Sequence, residues 1–245
     1  MPGEADAPDD RWRQVIQCLT GLGLSTALLD DVSIARADAA ALECSIAQTR
    51  AGRILEIGTF VGVATAVMAA AAPAVEVVSV DPDLPLRAHS CSCTLADGTT
   101  LHWARRGLAT MGIGHKVTLL RGYFAVMPTG RWAEHLSLFA SEFAVGLDAR
   151  PVIGVDRLQP LGPFDLVFVD GDHSAVAVHA NLEAVDTLLA SRGTILLHDV
   201  SLDPRVTGWG AEVRGGIARF RARHPDYALS IDGDLGFLTR QPPVR

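Results

Sequence analysis

The stretch Arg53–Gly62, RILEIGTFVG, decides how the rest of the chain is organised. Its first half, RILEI, is an apolar run typical of a short buried strand. Gly58 and Gly62 then indicate a turn, and the sequence VATAVMAAAA that follows predicts a helix. Strand, glycine turn and helix together can form a cofactor site, because the glycines let the backbone approach a ligand and the free N–H groups of the new helix face it.

One acidic residue interrupts this apolar strand. Glu56 lies two residues before Gly58, where most neighbouring side chains are apolar. A buried carboxylate is costly unless a positive or hydrogen-bonding group meets it. We therefore expect Glu56 to have such a partner.

Composition limits the classes of protein that this chain can be. A length of 245 residues with 49% hydrophobic residues suits one α/β domain with additions. The net charge of -7 and the scattered arginines argue against nucleic acid as the main partner. No stretch reaches the roughly 18 apolar residues that a membrane span needs.

The first residues and the cysteines indicate a location. The stretch MPGEADAPDDRW is too acidic and polar for a secretory signal. Cys91 and Cys93 are closer together than the usual ligands of a zinc site, and no second pair follows them. We therefore expect a cytoplasmic protein in which these two cysteines, Cys18 and Cys44 are all reduced.

The chain divides into an N-terminal extension and a main domain. Residues 1–50 are predicted to be a helical extension, in which a disordered leader precedes two helices. These helices can pack on the sheet, form a lid or make an oligomer contact, and the sequence does not choose between these arrangements. Residues 51–245 form the main domain, with an insertion at about 128–163 that is longer than a usual connection. We interpret the insertion as a substrate-side cap or an oligomer contact, so a homo-oligomer is one expectation.

Strands and helices alternate along the main domain. Apolar patterns predict five strands and a final hairpin, DYALSIDGDLGFLTR, around an Asp-Gly turn. The predicted strands before the hairpin are 54–57, 76–80, 115–122, 165–169 and 193–200, and the helices between them and after them are 63–72, 95–111, 174–190 and 211–223. This alternation predicts a Rossmann-like, doubly wound α/β fold, a mostly parallel seven-stranded sheet whose C-terminal hairpin adds one antiparallel strand.

Such a sheet predicts which residues lie close together in space. A ligand binds beyond the carboxyl ends of the strands, where the strand order reverses. The residues that directly follow each strand are therefore the candidates for a site: Gly58, Asp81, Gly122, Tyr123, Asp170, His198 and Asp199.

The glycine turn distinguishes between cofactors. A dinucleotide fold needs G-x-G-x-x-G, and Phe60 stands where the middle glycine should be. No Gly-Lys-Ser/Thr of a phosphate-binding loop follows the turn either. A dinucleotide-dependent oxidoreductase is therefore the weaker alternative.

A cofactor with an amino acid, a sulfonium and an adenosine suits these residues better. Glu56 would meet its ammonium group, directly or through water, and the turn of Gly58, Thr59, Phe60 and Gly62 would receive the amino-acid portion. Asp81 lies 23 residues after Gly58, where an acid can hold both ribose hydroxyls. The remaining cofactor contacts are expected at Pro82, Gly122, Tyr123 and Asp170.

Four features together resemble the class I S-adenosylmethionine-dependent methyltransferases. They are E-x-G-x-x-x-G, the acid that ends the second strand, FDLVFVDGDH and GTILLHDV. The resemblance covers about residues 50–240, and VDGDH followed by a helix and HDV is its most specific part. The C-terminal half most resembles the small-molecule O-methyltransferases, which include catechol-type enzymes and enzymes that act on antibiotic sugars. The resemblance implies S-adenosylmethionine as cofactor and a small-molecule acceptor.

The strand ends predict a metal site. Asp170 ends one strand and His198 and Asp199 end its neighbour, so their side chains converge. Carboxylates and an imidazole are ligands for Mg²⁺, Mn²⁺ or a similar divalent cation, which lowers the pKa of a bound hydroxyl. Asp170 and Asp199 match the resembled families, but His198 stands where an acid is usual. His198 as the base of a metal-free enzyme is the alternative.

A base and an acceptor contact are also predicted. His173 holds the position at which the resemblance implies a general base, and a neutral imidazole with a pKa of about 6.5 suits that role. Asp172 is expected to cap the following helix. Trp209, in the glycine-flanked loop TGWGAEV, is the expected substrate contact. Further candidates for the acceptor pocket are Trp132, Phe139 and Phe143.

We therefore expect an S-adenosylmethionine-dependent O-methyltransferase that acts on a small hydroxylated metabolite, a sugar or a natural product. A divalent metal and His173 as base would assist it. The alternative is metal-independent methylation of a hydroxyl, carboxylate or amine. An oxidoreductase and a noncatalytic homologue are further alternatives.

Overall fold

A computed structural model describes residues 10–86, 98–128 and 150–241 of the chain. The helices in these ranges are α1 (Arg11–Gly21), α2 (Thr26–Val32), α3 (Arg36–Thr49), α4 (Val63–Ala71), α5 (Thr100–Thr110), α6 (Val155–Leu158), α7 (Ala175–Asp186) and α8 (Gly210–Arg223). The strands are β1 (Arg53–Ile57), β2 (Glu76–Asp81), β3 (Val117–Arg121), β4 (Tyr123–Phe124), β5 (Val152–Ile153), β6 (Phe164–Val169), β7 (Leu189–Leu197), β8 (Tyr227–Asp232) and β9 (Leu235–Arg240).

Seven of these strands form the central sheet in the order β3-β2-β1-β6-β7-β9-β8. The five strands from β3 to β7 in this order pair in parallel. β9 runs antiparallel to both of its neighbours, β7 and β8. The predicted fold class, a mostly parallel seven-stranded sheet with a C-terminal antiparallel hairpin strand, is confirmed. The order reverses between β1 and β6, so a ligand site is expected above these two strands.

Helices cover both faces of the sheet. Ile54 and Leu55 are neighbours on β1, and both are fully buried in different apolar clusters. Successive residues of a strand point to opposite faces, so β1 is buried on both sides. This explains why neighbouring positions such as Ile54 and Leu55 are both apolar, without the alternation of a strand that is buried on one side.

The described part of the N-terminal extension packs into the core. Val15 and Leu19 of α1 and Leu42 of α3 are buried in one cluster with Met68 of α4 and Ile54 of β1. Of the arrangements that the sequence left open, the structure shows packing on the body of the domain. An additional oligomer contact stays a prediction.

Two predicted helix ends differ from the structure by four residues or more, and the strand predicted over 193–200 lies at Leu189–Leu197. α5 begins at Thr100 and not near residue 95. The side chain of Thr99 caps it by accepting a hydrogen bond from the His102 N–H group at 3.3 Å. The helix predicted to run to residue 190 ends at Asp186, and Leu189 already pairs with β6. The apolar residues at this helix end suit a buried strand as well as a helix, so the pattern did not mark the change.

Several predictions concern residues outside the described ranges. They are the leader at 1–8, Cys91 and Cys93, the part of the insertion at 129–149, and the pocket candidates Trp132, Phe139 and Phe143. The described end of the insertion contains β5, which pairs in parallel with β4, and the short helix α6. Across the described residues, no helix is long and apolar enough to cross a membrane.

Candidate active site

The glycine turn after β1 is shaped by the neighbouring protein backbone. Gly58 has a φ of 98°, and a Cβ there would lie 2.0 Å from the carbonyl oxygen of Asp170. Gly62 has a φ of 87°, and its Cβ would lie 3.0 Å from that of Ala104. Both glycines thus make room for packed protein. Gly58 also lines the cavity described below, and the expected approach of a ligand to the turn stays a prediction.

Glu56 finds its partners in hydroxyl groups below the turn. Its Oε2 accepts hydrogen bonds from Thr65 and Ser79, each at 2.5 Å, and Ser79 is also hydrogen-bonded to Thr59. Glu56 is 0% exposed, and its Oε1 has no hydrogen-bond partner among the described residues. Burial raises the pKa of Glu56 to about 8, although both hydroxyls lower it. Because Glu56 does not line the cavity described next, its contact with an ammonium group stays a prediction.

A cavity of about 560 Å³ opens at the carboxyl ends of the parallel strands. The structure brings most of the predicted site residues to its wall: Gly58, Thr59, Phe60, Asp81, Pro82, Gly122, Tyr123, Asp170, His173, His198, Asp199 and Trp209. Of the predicted site residues, Glu56 and Gly62 lie behind this wall. The rule that ligands bind beyond strand ends therefore located the cavity.

Asp81 is held in place by the turn and by α5. Its Oδ2 accepts a hydrogen bond from the Phe60 N–H group at 2.9 Å. Its Oδ1 accepts hydrogen bonds from the Asp83 N–H group and the Thr100 hydroxyl. Burial raises the pKa of Asp81 despite these hydrogen bonds. The bond to Phe60 restrains that residue in a left-handed conformation with a φ of 48°.

Tyr123 presents a buried hydroxyl at the cavity wall. The residue is 6% exposed, and its hydroxyl has no hydrogen-bond partner among the described residues. Burial raises the pKa of Tyr123 to about 12, so the hydroxyl keeps its proton at neutral pH. A buried hydroxyl without a partner is costly. A ligand in the cavity can supply that partner.

Two aspartates and two histidines meet at the ends of β6 and β7. His173 Nε2 lies 2.8 Å from Asp199 Oδ2 and 3.5 Å from Asp170 Oδ1. His198 Nδ1 lies 3.2 Å from Asp199 Oδ2 and 3.3 Å from Asp170 Oδ1. The predicted convergence of these strand-end residues is observed.

The two aspartates and the two histidines stabilise one another's charged forms. Burial opposes the charge on Asp170 and Asp199, but the two imidazoles hold both pKa values below the usual range. Burial alone would lower the pKa of His173, yet the two carboxylates raise it to about 9. The pKa of His198 is also raised well above its usual value. In this arrangement His173 therefore keeps its proton at neutral pH, and its role as the base stays a prediction.

Two acidic residues of the site were not found from the sequence. Asp38 Oδ2 lies 3.5 Å and Asp234 Oδ2 lies 3.9 Å from His198 Nε2, and both residues line the cavity. Asp38 comes from α3, where it stands next to the buried Ala39. Asp234 follows Gly233 in the hairpin turn, where an aspartate is an ordinary turn residue. A charged residue directly beside the apolar face of α3 was the available signal.

The donor set fits a divalent cation. One oxygen or nitrogen each from Asp170, His173 and Asp199 lies within 4.8 Å of the others, and His198, Asp199 and Asp234 form a second such group. Neighbouring ligands about 2.1 Å from one ion lie about 3 Å apart, close to the measured separations. Carboxylate oxygens with imidazole nitrogens suit Mn²⁺, Fe²⁺ or Zn²⁺ better than Mg²⁺.

Trp209 packs against His173 at the edge of the cavity. The two rings are stacked, with centroids 5.7 Å apart and planes 23° apart. The loop is fixed beside them, because a Cβ on Gly210 would lie 1.6 Å from Ser201 O. Asp172 does not cap α7, because Ser174 is the capping residue. Asp172 instead accepts a hydrogen bond from the Ser174 N–H group.

The cavity wall is strongly acidic. Its described part contains seven aspartates and neither lysine nor arginine: Asp30, Asp38, Asp81, Asp170, Asp172, Asp199 and Asp234. Such a wall favours a positively charged sulfonium and repels the phosphates of a dinucleotide.

A family model described as a methyltransferase domain matches residues 55–200 of the chain. The fold and the cavity define a class I S-adenosylmethionine-dependent methyltransferase. The chain belongs to this methyltransferase-domain family. A search of curated proteins finds no match.

Several solved structures share the fold. An O-methyltransferase from Bacillus cereus in complex with S-adenosylhomocysteine has a TM-score of 0.59 and 18% identity, over 96% of this chain and 93% of that one. A second, from Streptomyces achromogenes, was solved in complex with S-adenosylmethionine and is involved in tomaymycin synthesis; it has a TM-score of 0.57 and 19% identity, over 96% and 92%. The S-adenosylhomocysteine-bound methyltransferase of Podospora anserina has a TM-score of 0.55 and 17% identity, over 99% and 100%. The fold is thus that of S-adenosylmethionine-dependent O-methyltransferases.

Proposed function

We propose that the protein transfers a methyl group from S-adenosylmethionine to a hydroxyl group of a small metabolite, a sugar or a natural product. The observation that carries the proposal is the position of His173, which lines the cavity between Asp199 and the ring of Trp209. There, once the imidazole has lost its own proton, it can take a proton from a hydroxyl that packs on the indole. The Streptomyces achromogenes enzyme, an O-methyltransferase of tomaymycin synthesis with the same fold, supports a natural-product acceptor.

The turn and the first strands would hold the cofactor, which supplies an electrophilic methyl group when bound. Asp81, fixed by Phe60 and Thr100, would accept hydrogen bonds from the ribose hydroxyls. The hydroxyl of Tyr123 would find its missing partner at the adenine edge. Thr59 and Phe60 would flank the amino-acid portion.

The proton on His173 is the main constraint on the mechanism. Asp170 and Asp199 together raise its pKa to about 9, so at neutral pH it cannot accept a proton. Further positive charge beside these carboxylates would lower the pKa of His173, because they would no longer interact with the imidazole alone. Asp170, Asp199 and His198 would hold a divalent cation that supplies this charge and also lowers the pKa of the acceptor hydroxyl.

Metal-independent methylation is the second candidate, and one observation favours it. Two carboxylates and two imidazoliums already balance one another in the cluster without an ion. Such an enzyme would methylate a hydroxyl, carboxylate or amine. It would promote the transfer by positioning the acceptor beside the methyl group and by excluding water. His198 in the place of an acid also suits this candidate.

Ligand binding and methyl transfer test the proposal. S-adenosylhomocysteine should bind at micromolar strength in a calorimetric titration, and labelled methyl groups should pass to hydroxylated acceptors. Asp170→Ala should abolish transfer, whereas Asp203→Ala should not, because Asp203 pairs with Arg205 outside the cavity. Tight binding of NAD without binding of S-adenosylhomocysteine would contradict the proposal. Transfer by Asp170→Ala at the wild-type rate would contradict the role of Asp170.

Removal of metal separates the two candidates. After exhaustive chelation, the metal-dependent enzyme should lose most of its methyl transfer at neutral pH and regain it with Mn²⁺. Unchanged transfer after chelation would exclude the metal role of Asp170, His198 and Asp199 and favour the metal-independent candidate.

A further inference from the structure

We propose that the acceptor carries a positively charged amine, bound by Asp38 and Asp234, in addition to the group that is methylated. This inference rests on the proposed function, because it names the chemical class of the acceptor for the same cavity. It follows from the number of carboxylates around one imidazole.

His198 has four carboxylates within 4 Å. Its Nδ1 lies 3.3 Å from Asp170 and 3.2 Å from Asp199, and its Nε2 lies 3.5 Å from Asp38 and 3.9 Å from Asp234. His173 interacts with the first two of these carboxylates. Two imidazoles therefore face four acids, and Asp38 and Asp234 share a single cationic neighbour.

The geometry leaves oxygens of both residues available to a ligand. Asp38 is 8% exposed, and His198 is its one charged partner among the described residues. Asp234 Oδ1 accepts a hydrogen bond from the Ser201 N–H group at 2.7 Å, and its Oδ2 faces His198 Nε2 at 3.9 Å, beyond hydrogen-bond distance. Buried carboxylates are stable only with partners, and both of these line the cavity.

A second observation also indicates a ligand rich in hydrogen-bond donors. Asn181 lines the cavity and is 2% exposed, and its acceptor atom Oδ1 has no hydrogen-bond partner among the described residues. The wall thus offers acceptors that the protein itself does not satisfy. An ammonium group has three donors and a positive charge, and so matches such a wall.

The methyl donor and the metal belong to the other side of His198. The cofactor is proposed to lie along the turn, Asp81 and Tyr123, and the cation between Asp170 and Asp199, which face Nδ1. Asp38 and Asp234 face Nε2, on the opposite edge of the ring. The amine and the methylated group of one acceptor can therefore occupy the two edges at once.

Three catechols of similar size and different charge test the inference: dopamine, 4-propylcatechol and 3,4-dihydroxyphenylacetate. Each is titrated into enzyme saturated with S-adenosylhomocysteine. Dopamine should bind about tenfold tighter than 4-propylcatechol, since a charged hydrogen bond is gained, and the anion should bind most weakly. Equal or weaker binding of dopamine, or none at millimolar concentration, would overturn the inference.

Variants locate the preference. Asp38→Asn and, independently, Asp234→Asn should lower the affinity ratio of dopamine to 4-propylcatechol about tenfold. Asp232→Asn removes the same charge from an exposed position of the same hairpin and should leave the ratio unchanged. An equal loss in Asp232→Asn would assign the preference to overall charge and overturn the inference. Failure of wild-type enzyme to bind S-adenosylhomocysteine would instead contradict the proposed function itself.

Discussion

The proton on His173 connects the geometry of the site to its chemistry. In chelated enzyme, initial rates of methyl transfer should rise with pH towards about 9, because Asp170 and Asp199 hold the proton on the imidazole up to that pH. Mn²⁺ should move this rise to lower pH, because the ion competes for the same carboxylates. The measurement is the pH profile of kcat/KM with and without Mn²⁺.

Two variants make this prediction specific. His173→Gln should remove the pH-dependent limb of the profile. His179→Gln should retain it, because His179 pairs with Glu183 at 3.3 Å and does not line the cavity. Identical profiles with and without Mn²⁺ would show that no cation acts on His173.

Glu56 should make the stability of the fold depend on pH. Its pKa is about 8 in the folded protein and about 4.5 when exposed, so the folded state binds the proton more tightly. The free energy of unfolding should therefore fall as pH rises from about 4.5 to 8, by up to about 1.4 kcal/mol per pH unit.

Glu56→Gln should abolish this contribution to the slope, because an amide does not ionise. Urea denaturation of wild type and variant between pH 5 and pH 8 measures the difference, with Mn²⁺ absent. Glu76→Gln, at an exposed position of β2, is the control that should keep the wild-type slope. Parallel curves for Glu56→Gln and wild type would show that Glu56 is ionised when buried.

At the scale of residues, the strand-end rule explains both what was predicted and what was missed. Asp170, His198 and Asp199 were found because parallel strands end at one edge of a sheet. Asp38 and Asp234 were missed because a helix and a hairpin turn supply them, and no strand-end rule applies to either. The charge on His173 depends on distances of a few ångströms between side chains, which a sequence pattern does not contain.

The turn between β1 and α4 is the element most sensitive to substitution. In Gly58→Ala, the new Cβ would meet the carbonyl of Asp170 at 2.0 Å, and the backbone φ of 98° is unfavourable for alanine. We expect a loss of roughly 3 kcal/mol or more in the free energy of unfolding, and weaker binding of S-adenosylhomocysteine.

Two other glycines separate the contributions. In Gly112→Ala the backbone φ of 71° is strained, but no atom lies within 4 Å of the new Cβ. This variant should lower the free energy of unfolding by about 1 kcal/mol. Gly21→Ala meets neither and should be close to neutral. Chemical denaturation of the three variants measures the order, and a cost for Gly58→Ala no larger than for Gly112→Ala would disprove the steric role of the Asp170 carbonyl.

Element types were more predictable than element ends. The apolar pattern of β6, FDLVFV, predicts a buried strand, and the strand lies where it was expected. The end of α7 was placed four residues late, because Leu188, Leu189 and Ala190 are apolar in either structure. The start of α5 depends on one hydrogen bond to the side chain of its capping residue, Thr99, and hydrophobic periodicity does not reveal such a bond.

For the molecule as a whole, the N-terminal helices should contribute to stability. Leu42 of α3 is buried in the same cluster as α1, α4 and β1. Leu42→Ala should therefore lower the free energy of unfolding by about 2–5 kcal/mol. Gln48→Ala, at an exposed position of the same helix, should change it little. A lid would give the opposite result, with altered turnover and unchanged unfolding.

The seven-stranded sheet was predictable because alternation of strands and helices constrains it strongly. The packing of α1 and α3 was not, since an apolar helix face does not specify which surface it covers. The structure brings α3 and the C-terminal hairpin together at His198, through Asp38 and Asp234.

The contact of Gly58 with Asp170 has a thermodynamic consequence. The turn that would receive the methyl donor touches the backbone of the residue that would ligate the cation, and Asp170 N–H also donates to Ile57 O at 2.8 Å. The two ligands would therefore bind with heterotropic linkage. Each should change the dissociation constant of the other by the same factor, whichever is added first.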